Sequence, residues 1–432
     1  MSFEGTYAVL DVESGSVHAV DKIVYDLLNN HVSEYTQDEL YEAREEIDAL
    51  KAQGMLDSPC LVDENAPVFH EPVVKAMCLH IAHDCNLRCK YCFAHTGDYQ
   101  GERGVMPIET ARAALLFLME RSGTRYNLEV DFFGGEPLLN FEVVKAATEY
   151  GRELEKQYHK NIRFTMTTNA LAVTPEMQEF LNREMKNLVI SIDGRQEIHD
   201  AMRPDAGGRG SYARVLANAK KLVAARSDKE YYIRGTYTAK NPDFAQDVLS
   251  IVDEGFDAVS VEPVVTSGEL ALSEEMLPRL FDEYDCLARQ YEQRRKDGRP
   301  FTFFHFMVDL TSGPCLNKRL RGCGAGSEYV AVTPSGEIYP CHQFAGQQDF
   351  LMGNVFDNTF DAEIQHRFCE NHVFKKESCR TCWAKYYCSG GCAANAYFEN
   401  GNIGKPHKIS CELEKKRLEL AIMLKVREML DA

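Results

Sequence analysis

Between about residue 72 and residue 300 the chain repeats one pattern, a short apolar strand-like run followed by a helical stretch. The strand candidates are AMCLHIA, NLEVDFFG, IRFTMTTNA, NLVISID, YYIRGTYT and DAVSVEPV, with helical stretches such as PIETARAALLFLMERSG and NFEVVKAATEYGRELEKQ between them. Six such units call for an α/β fold with a parallel sheet and helices outside. Functional residues of parallel barrels collect at the C-terminal ends of strands. The chemically unusual residues stand there: Cys85, Cys89 and Cys92 after the first strand, GGEP from Gly134 after the second, Thr168 and Asn169 after the third, Ser191 and Asp193 after the fourth.

Different patterns flank this zone. Residues 1–71 open with two strand-like runs, TYAVLDV and SVHAV, joined across Glu13, Ser14 and Gly15, where glycine suits a tight hairpin. DKIVYDLLNN reads as a short helix, and a second helix begins at the capping-box pair Thr36 and Glu39, sets Leu40, Ala43, Ile47 and Leu50 on one face and ends at Gly54. This is a small winged-helix-like module without a catalytic constellation, either a structural appendage or a partner-binding domain. An unpaired hairpin edge is a template for an added peptide strand. Residues 301–432 have little regular periodicity and carry Cys315, Cys323, Cys341, Cys379, Cys382, Cys388, Cys392 and Cys411, which suggests a fold organised around metal.

Fifteen cysteines in 432 residues must be read against the compartment. No apolar run approaches the roughly 20 residues of a membrane span, and the acidic start lacks the features of a signal peptide. A cytoplasmic chain is expected, where clustered thiols hold metal more often than they form disulfides. Cys60, Cys78, Cys286 and Cys369 have no close partner in sequence and are expected to be core filler. The net charge of -18 argues against a nucleic-acid partner. Three cysteines within eight positions are one ligand short of a closed tetrahedral site and leave one metal position open. On spacing alone, an open zinc site and an iron–sulfur cluster with one free iron both satisfy that pattern.

CxxxCxxC with Tyr91 before the last cysteine, placed after a first strand and followed by GGEP, resembles the signature of the radical S-adenosylmethionine (SAM) enzymes, whose fold is a partial (β/α)6 barrel. The resemblance implies that Cys85, Cys89 and Cys92 hold a [4Fe-4S] cluster whose open iron chelates SAM, with Tyr91 against the adenine. It further implies that Gly134 and Gly135 let backbone approach the methionine moiety while Glu136 accepts from its ammonium and Pro137 fixes the turn. Asn169 and Ser191 would meet the ribose or carboxylate, and Arg203 in HDAMRP would pair with the carboxylate.

The last zone has its own pattern. Cys323, Gly336 and Cys341, then CxxCxxxxxCxxxC from Cys379 to Cys392 and a final Cys411, resemble the SPASM domain of peptide-modifying radical SAM enzymes. By that resemblance Cys323, Cys341 and Cys392 hold one auxiliary [4Fe-4S] cluster and Cys379, Cys382, Cys388 and Cys411 a second. Cys315 is either the first cluster's fourth ligand or a bystander to an iron left open for substrate. The N-terminal module resembles a leader-peptide recognition element, and the whole chain is similar to the maturases of six-cysteine (SCIFF) peptides, including LDVESGSVHAVD and RLRGCGAGSEYVAVTPSGEIYPCHQF.

The implied reaction is thioether formation between a Cys sulfur and a carbon, often of Thr, in a ribosomally made precursor peptide. SAM cleavage gives a 5'-deoxyadenosyl radical that abstracts hydrogen, and the surplus electron leaves through an auxiliary cluster. The implied partners are the Cys-rich precursor, bound through its leader, and an electron donor such as a flavodoxin or ferredoxin. Asp131, Asp193 and Glu262 stand as candidate bases. A formylglycine-forming or carbon–carbon crosslinking SPASM enzyme, or a non-catalytic zinc scaffold that binds a peptide, are the alternatives.

Overall fold

The computed structural model describes residues 1–62, 72–311 and 315–431. The division expected at residues 71 and 72 therefore falls at the edge of a segment, 63–71, outside the described residues.

The N-terminal part is a three-stranded antiparallel sheet, β1 (Ser2–Phe3), β2 (Thr6–Leu10) and β3 (Val17–Val20), in that order. The expected hairpin is β2 and β3; the strand beside β2 was not foreseen, because two residues carry no readable period. Two helices follow, α1 (Lys22–Leu28) and α2 (Gln37–Ala52). Thr36 and Glu39 form the reciprocal capping box, and Leu40, Ala43 and Ile47 are buried beneath α2.

All six expected strands form: β4 (Ala76–His83), then, after the two-residue β5 (Gly104–Val105), β6 (Asn127–Gly134), β7 (Asn161–Thr168), β8 (Asn187–Ser191), β9 (Glu230–Tyr237) and β10 (Ala258–Pro263). They run parallel in the order β10-β9-β8-β7-β6-β4. β4 is buried over almost its whole length, as a central parallel strand should be. In β6, Leu128, Val130 and Phe132 enter the main core, leaving Asp131 and Phe133 on the opposite face. This is a partial (β/α) barrel with helices on the outer face, such as Phe141–Tyr158, which buries Phe141, Val144, Ala147, Gly151 and Leu154 at helical spacing.

The sheet does not stop at residue 300. β11 (Thr302–Phe303) pairs parallel to β10, and β12 (Tyr329–Val332) lies parallel beside β4, from Tyr329 opposite Ala76 to Val332 opposite Leu79. β13 (Glu337–Tyr339) and β14 (Gly353–Asn354) extend it antiparallel. Gly336 sits in the turn between β12 and β13 with φ of 87°, where a side chain would also crowd Asn354 and Phe356.

The expectation of little regular structure after residue 301 is corrected most plainly at Lys408–Leu430, a 23-residue helix. Its buried residues Leu413, Arg417, Leu418, Leu420, Ala421, Ile422, Met423, Leu424 and Val426 point in all directions. It is packed between helix Leu277–Lys296 and the N-terminal sheet, so it has no polar stripe to give it away in sequence. Arg427 ties the three parts together, bonding Glu292 at 2.8 and 3.0 Å, the Glu4 carbonyl at 3.0 Å and Thr6 at 2.7 Å. Among the described residues no helix is long and apolar enough to cross a membrane.

Candidate active site

β4 ends at His83, and the next nine residues carry Cys85, Cys89 and Cys92. Backbone on two sides clamps this loop. From β6, Gly135 N–H donates to Ala82 O at 2.7 Å and Glu136 N–H to Asp84 O at 2.9 Å. From the segment after Met202, the carbonyls of Met202 and Pro204 accept from Lys90 N–H at 2.9 Å and Arg88 N–H at 2.8 Å. The register between β4 and β6 shifts between His80 and Ala82, His80 pairing with Phe133 and Ala82 with Gly134, so that Ile81 is the extra residue. A Cβ at Gly134 would strike the Ala82 carbonyl and one at Gly135 the Asp84 carbonyl. Gly134 is thus pressed against the end of β4 and Gly135 against the start of the cysteine loop, and both glycines also line the cavity beside it.

Glu136 is buried and fixes the next strand end: it accepts from Leu138 N–H at 3.1 Å, Thr168 Oγ1 at 2.7 Å and Asn169 N–H at 2.8 Å. Burial raises its carboxyl, against these three hydrogen bonds and Arg203. Asn169 Nδ2 then donates to Asn86 Oδ1 at 2.7 Å and lies 3.6 Å from Cys85 Sγ. Opposite, Tyr91 donates its hydroxyl hydrogen to the Asp193 carboxylate at 2.7 Å, and Arg203 Nη1 donates to Tyr91 Oη at 2.7 Å. Asp193, one of the candidate bases, is fully buried and accepts from Thr236 N–H at 3.2 Å, so it orders the site from behind.

One cavity of about 320 Å³ is lined by Cys85, Cys89, Cys92, Tyr91, Gly134, Gly135, Glu136, Asn169, Ser191 and Arg203 together. Asp131 and Asp193 are not in its wall; Glu262 is. Burial alone would raise the Glu262 carboxyl, but His305 at 3.1 Å and the guanidiniums of Arg234 at 3.9 Å and Arg417 at 3.6 Å hold it well below the usual carboxylate range. That makes it a poor base and a good anion. The sequence reading missed Phe133, which falls in step with Asp131 and Gly135, so that a period of two was the available signal, and Arg234 and Thr236 of β9, a strand on which no residue was singled out. It also missed His342, Gln343 and Asn395, which reach the cavity by tertiary docking and leave no local signal. Through Tyr91, Cys92, Phe93, Val265, Gln343 and Asn395 this cavity shares a wall with a second, of about 480 Å³, lined also by Gln347, Phe398 and Glu399.

The remaining cysteines sort into groups. Cys379, Cys382, Cys388 and Cys411 line one cavity of about 180 Å³. Cys341 is buried, within electrostatic reach of Cys323 and Cys392. Cys315 is exposed, at the N-cap of helix Leu316–Arg321. Of the four cysteines expected to fill core, Cys78 and Cys369 are buried and Cys286 is half-buried, but Cys60 is exposed, with Sγ 3.7 Å from Tyr386 Oη. That expectation is corrected for Cys60: it lies at the junction of the N-terminal module and the cysteine-rich zone, where nothing local marks it.

The donor sets fit iron–sulfur clusters. Burial pushes Cys85 up to about 12 and Cys89 up to about 11, and likewise Cys388 to about 12 and Cys411 to about 11. Such thiols stay protonated until a metal displaces the proton. A SAM-like ligand also finds a match: Arg203 Nε is buried and has no hydrogen-bond partner among the described residues, a donor left over for a carboxylate.

A model of the Radical SAM superfamily matches residues 79–253, and one of the SPASM iron–sulfur cluster-binding domain matches residues 323–383. The uncharacterized protein MJ0907 of Methanocaldococcus jannaschii is 30% identical over 292 residues, covering 66% of this chain and 90% of its own. The chain belongs to the radical SAM superfamily. It joins that barrel to a SPASM domain, as peptide maturases do; the mycofactocin maturase MftC of Mycobacterium ulcerans is 27% identical, over 74% of this chain and 82% of its own. Native anSMEcpe with bound AdoMet and Cp18Cys peptide has the same fold, with a TM-score of 0.67 at 19% identity over 84% of this chain and all of its own.

Proposed function

We propose that this radical SAM peptide maturase forms thioether crosslinks, joining a Cys sulfur to a carbon, often of Thr, in a ribosomally made Cys-rich precursor peptide. In this reading residues 1–71 take the leader, residues 72–300 hold SAM and residues 301–432 carry two auxiliary clusters, making three [4Fe-4S] clusters in all.

The observation that carries the reading is the shared wall between the barrel cavity, with Cys85, Cys89 and Cys92, and the cavity reaching Gln347, Phe398 and Glu399 of the cysteine-rich zone. A peptide entering there meets residues of both zones. At the N-terminal end, the β3 edge borders a groove formed with Glu46, Ala49 and Leu50 of α2, which suits an added leader strand.

Cys85, Cys89 and Cys92 would hold the cluster, which together with SAM would supply the radical chemistry that activates a C–H bond of the peptide. The protein's own residues orient the reactants. Glu136, with its remaining acceptor capacity, and Arg203 Nε would hold the ammonium and carboxylate of the methionine moiety. Asn169 and Ser191 would meet the ribose, and Tyr91 would flank the adenine with its hydroxyl anchored on Asp193. Phe133, Val264 and Val265 give this chamber an apolar stretch of wall. Crosslinking removes two hydrogens from the peptide: one as an atom, one as the thiol proton and an electron, for which a cluster held by the C-terminal cysteines would be the acceptor.

The test is anaerobic co-production with a Cys-rich precursor peptide, read by mass and by thiol alkylation. A product lighter by one hydrogen pair per link, with the linked Cys no longer alkylated, is expected. The same mass loss with every thiol still alkylated would mean carbon–carbon linkage, and an aldehyde on Cys or Ser would mean formylglycine formation; either overturns the thioether reading. The Cys85, Cys89 and Cys92 triple Ala variant should lose the activity and about four of about twelve irons. Two or three zinc without sulfide would sink the radical reading altogether.

A further inference from the structure

Lys376 is 2% exposed and sits inside the cysteine-rich zone. Its ammonium donates one hydrogen bond, to Gly390 O at 2.7 Å, and among the described residues no carboxylate pairs with it. A buried, unpaired ammonium is costly unless opposite charge is close by. Burial brings its ammonium below the ordinary lysine value, and the groups in electrostatic reach that oppose this are Cys379, Cys388, Cys392 and Cys411.

The backbone is built around this side chain. Lys376 O accepts from Cys379 N–H and Arg380 N–H, both at 3.0 Å, so the residue that brings the charge also starts the turn carrying Cys379. Gly390 lies between Cys388 and Cys392 with φ of 85°, and a Cβ there would stand 3.1 Å from Lys376 Nζ. The loop thus gives up a side chain where the ammonium enters.

We propose that Lys376 is a positioning residue for electron transfer, its buried ammonium lying between the two auxiliary cluster sites and serving as the shared countercharge that raises their reduction potentials. The inference rests on the cluster assignment made above. Adding an electron to a cluster adds negative charge, so a fixed positive charge beside it favours the reduced form. The surplus electron of crosslinking is then accepted more readily.

The experiment compares wild-type protein, Lys376→Met and Lys376→Arg in the full chain, with Cys85, Cys89 and Cys92 replaced by Ala so that only auxiliary clusters contribute. Iron and sulfide are measured first, and midpoint potentials then follow from an anaerobic redox titration monitored by electron paramagnetic resonance. Lys376→Met is expected to lower the potentials by about tenfold or more in the reduction equilibrium, about 59 mV for one electron, with Lys376→Arg close to wild type. Loss of iron in the Met variant that the Arg variant restores supports the same role, because charge is then needed to hold the clusters. Unchanged potentials in the Met variant, or equal shifts or equal iron loss in both variants, overturn it, because shape rather than charge would then matter. A wild-type sample lacking auxiliary iron would instead remove the cluster assignment, and that is read before any variant is compared.

Discussion

Tyr91 and Asp193 stand 102 residues apart in the chain and meet in the barrel, the Tyr91 hydroxyl 2.7 and 2.8 Å from the two Asp193 carboxylate oxygens. Arg203 lies 3.7 Å from the same carboxylate. Asp193→Ala would leave a buried guanidinium without its anion and free Tyr91 to turn. Removal of one member of a buried pair costs about 3–5 kcal/mol. The variant should melt well below wild type in anaerobic thermal denaturation, with Asp193→Asn between them because it keeps a partner for Tyr91 but no charge. Equal melting of wild type and Asp193→Ala would mean the pair only decorates the cavity.

Gly135→Ala tests the clamp on the cysteine loop. The new methyl group cannot fit beside the Asp84 carbonyl, so the loop carrying Cys85 must shift. Overpacking of this kind costs about 1–3 kcal/mol. The displacement falls on the barrel cysteines and leaves the C-terminal set alone. Purified variant should lack about four irons, the share of one cubane, and keep the rest. Full iron content would show that the loop tolerates the shift.

Asp131 gives a pH dependence. Burial first, then Glu129, pushes its carboxyl up to about 7, and Thr165 donates a hydrogen bond to it. The folded state therefore binds this proton more tightly than the unfolded chain. The stability it confers is complete below the unfolded value near 4 and falls away as pH rises through about 7. The full effect is about 4 kcal/mol at most. Anaerobic melting curves from pH 5.5 to pH 8.5 should show wild type losing stability with pH and Asp131→Asn changing less. Parallel curves for the two proteins would rule out this assignment.

The parts of the fold legible in sequence were those with local periodicity. β4 and β6 to β10 announced themselves as apolar runs, and Thr36 with Glu39 marked the start of α2 correctly. Helix Lys408–Leu430 was hidden because packing on several sides removes the polar stripe that identifies an amphipathic helix. β12 was hidden because a four-residue strand is defined by the neighbour it pairs with, here β4, more than 240 positions earlier. The site divides the same way. Ten of the residues picked from motifs line one cavity while Asp193 stands behind it, whereas His342, Gln343 and Asn395 arrive through docking of the cysteine-rich zone. Motif glycines were legible as positions, but their purpose needed the backbone they press against.

The contact between Glu13 and Lys385 leads to the last prediction. Glu13 lies in the β2–β3 hairpin turn, and its carboxylate accepts from Lys385 Nζ at 2.6 Å and Tyr386 Oη at 2.8 Å. Lys385 and Tyr386 sit between Cys382 and Cys388, and Lys385 lines the cavity that these thiols share. Both partners are largely shielded, with side-chain exposures of 9% for Lys385 and 17% for Glu13, so screening by water is weak. Burial would raise the Glu13 carboxyl, and Lys385 and Tyr386 bring it below its ordinary value. Hydrogen bonds to charged groups contribute about 1.5–3 kcal/mol. Glu13→Ala should therefore loosen the N-terminal sheet from the cysteine-rich zone while the barrel cysteines, remote from the contact, keep their iron. Limited proteolysis under anaerobic conditions should attack the N-terminal sheet and its two helices faster in the variant. Glu13→Asp, with a shorter reach but the same charge, should fall between. Identical digestion of all three proteins would mean that other contacts, such as Arg427 with Thr6, hold the module without this pair.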